Sequence, residues 1–102
     1  MGIPYRVANY GLGAVATSAR FITVPTINLT LLTLSSGNRG LSIFNIGSGT
    51  LIWGGSTIAI NSGNSIFVNM RTEWLGLQDG WNVYLLANSL NSLISVTEYS
   101  NG

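Results

Sequence analysis

No charged side chain occurs between Arg39 and Arg71, yet turn-forming residues break the stretch at short intervals. Its central part, TLIWGGSTIAINSGNSIFVNM at residues 50–70, contains no Lys, Arg, Asp, Glu, His or Pro. A soluble domain carries about a quarter charged residues, whereas this chain carries 7%. A membrane-spanning helix needs ~20 mostly apolar residues in a row, and here Gly, Ser, Asn and Thr interrupt every run. At 102 residues the chain is also short for a typical transmembrane barrel. The bare stretch therefore reads as short strands wetted by neutral polar groups, with no membrane partner.

Turn clusters punctuate the chain from Arg20 onward: SSGN at 35–38, GSG at 47–49, GGS at 54–56, NSGN at 61–64, QDG at 78–80 and ANSLNS at 87–92. Gly permits positive φ, and Asn and Asp bond to their own backbone, so these clusters mark hairpins and loops. The Ser-Gly pairs at Ser36, Ser48 and Ser62 have unmatched flanks, so they are repeated turn chemistry without a sequence repeat. Between the clusters lie strand-like runs: RFITV, INLTLLTL, RGLSIFNI, TLIWG, STIAI, SIFVNMR, EWLGL, WNVYLLA and LISVTEY. Leu41, Ile43 and Asn45 alternate with Ser42, Phe44 and Ile46, and Ile94 and Val96 alternate with Ser95 and Thr97. No helical period is sustained.

Eight or nine short strands in one domain predict an all-β fold, a small β-sandwich or jelly roll over residues 20–102. Residues 1–19, MGIPYRVANYGLGAVATSA, mix Gly, Ala and aromatics without period and read as an extended N-terminal arm. That start lacks the long apolar run of a signal peptide, and Arg6 stands where a myristoylation pattern wants Ser or Thr.

The side chains present exclude much chemistry. With no Cys, His or Lys, disulfides, Zn-thiolate sites and the usual activators of a catalytic Ser are gone. GLGAVA at 11–16 matches a dinucleotide fingerprint, but no acidic residue precedes Glu73 and no helix pattern follows. The sequon at Asn28, Leu29 and Thr30 has no leader sequence to give it meaning. Carboxylate chemistry has only Glu73, Asp79 and Glu98. Glu73 and Asp79 flank EWLGLQDGW, which reads as a hairpin; beside Trp74 and Trp81 they sketch a sugar subsite. The plainer reading gives Asp79 to an Asp-Gly turn and Glu73 to an arginine such as Arg71. The expectation is a protein that is not an enzyme and has no catalytic, cofactor or metal site.

Net charge is +1, too little to attract a polyanion, so no nucleic-acid partner is expected. The same neutrality leaves little repulsion between copies. Several strands, LSIFNI, TLIWG and VYLLA, are apolar on both faces, so one face covers the core and the other awaits a partner. Guanidinium suits interfacial ion pairs, and Arg6 and Arg20 are read as bridging subunits to Glu73 or Glu98. Large aromatics anchor interfaces. The residues expected at an interface are Tyr5, Arg6, Tyr10, Arg20, Arg39, Trp53, Arg71 and Trp74.

The run RGLSIFNIGSGTLIWGGSTIAI, followed by a Gly-containing turn, SIFV, WNVYLLAN and a last strand LISVTEYS, resembles small all-β structural proteins of tailed bacteriophages. The likeness spans residues 39–99; the sequence departs from it in the region 69–78, where a proline-containing turn is absent and MRTEWLGLQDG, at 70–80, stands in its place. The resemblance implies a virion protein made in the host cytoplasm, a capsid decoration or cement protein. It further implies a homotrimeric jelly roll that touches the major capsid protein and whose arm reaches over neighbouring subunits. The alternative is a carbohydrate-binding β-module, on a phage tail or baseplate or elsewhere.

Overall fold

The structure, a computed structural model, describes residues 15–60 and 62–100. Eight strands follow one another among them: β1 (Val15–Val24), β2 (Thr30–Thr33), β3 (Gly40–Asn45), β4 (Leu51–Gly54), β5 (Asn64–Ile66), β6 (Arg71–Leu75), β7 (Asn82–Ala87) and β8 (Ser92–Ser100). They form two antiparallel four-stranded sheets, ordered β1-β8-β3-β6 and β2-β7-β4-β5. The all-β expectation holds, and no helix occurs among the described residues.

Alternation decides what is buried. On β8, Ser92, Ile94, Val96 and Glu98 turn inward, while Leu93, Ser95, Thr97 and Tyr99 turn outward. Leu41, Ile43 and Asn45 of β3 face inward beside them. The second sheet supplies Leu32, Leu51, Val83, Leu85 and Ala87 to the same core. Every strand pair except β4–β5 joins strands that are not consecutive in the chain, so the sheets depend on one another for stability.

Four sequence expectations change. STIAI forms no strand; residues 55–60 and 62–63 lie outside the strands, with Ile58 set over the outer face of the second sheet. Ile58 explains why, since its Cγ2 lies 2.5 Å from where a Cβ on Gly54 would sit, and Ile52 Cγ2 is equally close to that position on Gly63. Two glycines let the loop press Ile58 onto the sheet and cover Ile52, which is otherwise an outward-facing residue.

The run SIFVNMR splits. Met70 N–H bonds to Phe67 C=O at 3.0 Å, and Asn69 takes φ 67°, a left-handed conformation that Asn tolerates better than most residues. EWLGLQDGW is no hairpin, because β6 and β7 belong to different sheets and residues 76–81 cross between them. Finally, β1 starts at Val15, so the strand takes in residues 15–19 of the segment read as arm. The rest of that segment, with Tyr5, Arg6 and Tyr10, lies outside the described residues.

Candidate functional site

The two ends of the sandwich differ in chemistry. At the end formed by the β2–β3 and β6–β7 loops, Glu98 is 1% exposed yet ionised, because donors surround it. Ser35 N–H and Asn38 Nδ2 donate to Oε1 at 2.8 and 2.9 Å; Arg20 Nη1 and Ser35 Oγ donate to Oε2 at 3.0 and 3.4 Å. Burial opposes ionisation, but the hydrogen bonds from Asn38, the Ser35 backbone, Arg20 and the Ser35 hydroxyl outweigh it and hold the carboxyl below its usual range. Thr17 Oγ1 donates to Asn38 Oδ1 at 3.1 Å, which ties the outer half of β1 to the same cluster. The bridge expected between subunits at Arg20 is thus made within the chain. The reason is periodicity: Glu98 continues the inward row of Ile94 and Val96, and Arg20 lies on the neighbouring strand.

Arg39 is likewise paired inside the chain, its Nη1 lying 2.8 Å from Asp79 Oδ1. Gly37 N–H also donates to that oxygen at 3.1 Å, and this bond, with Arg39, keeps the Asp79 carboxyl below its usual range. Asp79 therefore joins the β6–β7 loop to the β2–β3 loop. Glu73 stands on β6 opposite Ser42. An open depression of about 470 Å³ lies along residues 76–81, with Asp79 on its wall. The sugar subsite sketched from sequence would need Asp79 for ligand, where the structure already gives it two partners.

Trp53 and Trp74 meet edge to face at 4.9 Å between ring centroids, and Trp81 stacks on Trp74 at 5.2 Å with a 46° tilt. All three are half-buried against the core. Trp53 and Trp74, read as interface anchors, pack against the core and against each other.

The outer face of the first sheet is exposed towards its edges, at Phe21 and Arg71, while Phe44, Ser95 and Thr97 are half-buried and Ser42 is buried. Register places Phe21, Ser95, Phe44 and Arg71 in one row across it, and Ala19, Thr97, Ser42 and Glu73 in the next. Phe21 is 70% exposed. The Arg71 guanidinium lies 5.6 Å from the Phe44 ring centroid, a cation–π distance. Between the aromatic residues the row is small and neutral, which makes a flat, uncharged strip with one cation at its rim. Of the expected interface residues that the structure describes, Arg71 alone lies on this strip. Phe21, Phe44 and Leu93 were missed; outward alternation on RFITV, LSIFNI and LISVTEY was the signal available for them.

Among the described residues, no group of His, Cys, Asp and Glu could hold a metal ion, and no helix is long and apolar enough to cross a membrane. No family model, curated protein or solved structure matches the chain.

Proposed function

We propose that the chain is a non-enzymatic structural subunit of a phage virion, a decoration protein that bridges neighbouring capsid subunits. One observation carries this reading. Twelve large hydrophobic side chains are exposed among the described residues, while Arg20 with Glu98 and Arg39 with Asp79 neutralise one another inside the chain. A surface left apolar and nearly uncharged gains from being covered by protein and resists coverage weakly.

The strand orders 1-8-3-6 and 2-7-4-5 support the finer fold reading, a jelly roll wound from two Greek keys, an architecture found in viral capsid and lectin domains. The Phe21–Phe44–Arg71 strip supports contact with a flat protein surface. In this reading the mechanism is mechanical. Each copy removes apolar area from water at ~25 cal/mol per Å², less the cost of association. Homotrimeric copies and N-terminal arms then multiply weak contacts with the major capsid protein into a strong attachment.

The test is co-sedimentation of the chain with empty capsids assembled from the major capsid protein of the genome that encodes it. Binding that saturates at a fixed ratio to capsid protein, and is reduced by Phe21→Ser, supports the proposal. Absence of capsid binding, with affinity instead for simple sugars on a glycan array, would replace it with the carbohydrate-module reading.

A further inference from the structure

The β1–β2, β3–β4, β5–β6 and β7–β8 loops gather at one end of the sandwich, opposite the Glu98 cluster. Register fixes this: Val24 pairs with Ser92, Asn45 with Ile94, and Leu51 with both Ala87 and Ile66. None of the loop residues 25–29, 46–50, 67–70 and 88–91 is charged. Six of their side chains, Ile27, Leu29, Phe67, Val68, Met70 and Leu90, are large, apolar and exposed, Ile27 at 85% and Phe67 at 60%. Arg71 follows Met70 directly, and its guanidinium lies 5.6 Å from the Phe44 ring centroid on the outer sheet face.

This end is held rigid from within. Asn45 is fully buried; its Nδ2 donates to Gly49 C=O and Ile66 C=O at 2.9 Å, and its Oδ1 accepts from Gly47 N–H at 3.1 Å and Ser92 Oγ at 2.7 Å. Backbone bonds tie Ala87 to Pro25, Asn88 to Thr50 and Asn69 to Asn45. Docking on such loops loses little conformational freedom.

We infer that this end is a self-docking surface, on which a second copy of the chain seats end to end about a twofold axis. Two arguments select a second copy. First, charge: a twofold contact sets a patch against itself, and an end with no charged loop residue meets its own image without repulsion or an unpaired ion. Second, area: the molecule measures 43 × 26 × 21 Å, and four strands ~4.8 Å apart in two sheets ~10 Å apart cannot span the longest of these. The long axis therefore runs along the strands, and the end presents roughly 550 Å² between Cα positions, from 26 by 21 Å. Side chains extend that towards the ~800 Å² per partner of a stable interface. The inference goes beyond the capsid reading and stands independently of it.

The chain has no cysteine, so single cysteines report on each end cleanly. Ser48→Cys and Ser89→Cys place a thiol on exposed loops of the apolar end, and Ser36→Cys places one at the opposite end. With a short bis-maleimide at low micromolar protein, the first two variants are expected to form covalent dimers on the order of tenfold faster than the third, because docking raises the local thiol concentration. Adding Ile27→Ser, Phe67→Ser and Leu90→Ser to Ser89→Cys should return its rate to that of Ser36→Cys. Equal rates at the two ends overturn the inference, as does a fast rate that survives the serine substitutions. Capture of the chain by phosphatidylcholine vesicles with loss of cross-linking overturns it too, assigning the end to lipid.

Discussion

Arg20 reaches across from β1 to bind Glu98 on β8 at 3.0 Å, joining a side chain that keeps 39% of its surface in water to one that keeps 1%. The pair closes the edge of the first sheet. An inward-pointing charge on an edge strand also discourages unplanned strand addition, as does the register shift between Ala16 and Ser18.

Because the folded protein holds the Glu98 carboxyl below its ordinary value of 4.5, the unfolded chain binds the proton first as pH falls. The stabilisation is complete above that ordinary value and is lost as pH drops through the lower folded value. Urea midpoints measured from pH 7 to pH 2 should fall in this window for the wild type and fall less for Glu98→Gln. At pH 7, Glu98→Gln should cost about 2 kcal/mol, since donors aimed at a carboxylate meet an amide.

Asn45→Ala should destabilise by about 3 kcal/mol, because it removes four hydrogen bonds and leaves buried partners unsatisfied. Hydrogen exchange should show the loss first at Gly47, whose amide proton bonds to Asn45 Oδ1.

Gly47→Ala tests the close approach of the β3–β4 loop to the start of β8. A Cβ there would lie 2.5 Å from Leu93 N, a backbone atom that cannot turn aside. The expected cost is about 2 kcal/mol by denaturant unfolding. Gly55→Ala, where nothing lies within 4 Å, should leave the midpoint unchanged.

Trp74→Ala should lower stability by about 3 kcal/mol, as the loss of a core aromatic does, and should alter the environment of both Trp53 and Trp81. A purely interfacial Trp74 would instead leave the isolated fold intact, so near-ultraviolet circular dichroism and unfolding midpoints distinguish the two.

Local pattern made the fold class legible. Alternation placed Leu41, Ile43 and Asn45 on one face, and the turn clusters fell between strands. STIAI failed because alternating apolar residues suit a covering loop as well as a strand; the difference lies in Gly54 and Gly63, whose lack of a Cβ admits Ile58 and Ile52. The Ser-Gly pairs proved to be different devices. Gly37 and Gly63 take positive φ, while Gly49 lies against Leu90. Glu98 could have been read as buried by extending the row of Ile94 and Val96 two residues further. Its partners Ser35 and Asn38 could not, since their pairing spans 63 and 60 residues of chain and exists only after the sheets close. The apolar end was invisible for the same reason, being assembled from four separate loops.

The account rests on an apolar, nearly neutral exterior being covered by other protein copies. Light scattering of the purified full chain, over a wide range of concentration and at low and high salt, tests this most directly. The account predicts a mass that rises above the monomer with concentration and depends little on salt, because apolar contact is not screened. A single monomer mass, held to high concentration in physiological salt, would contradict it.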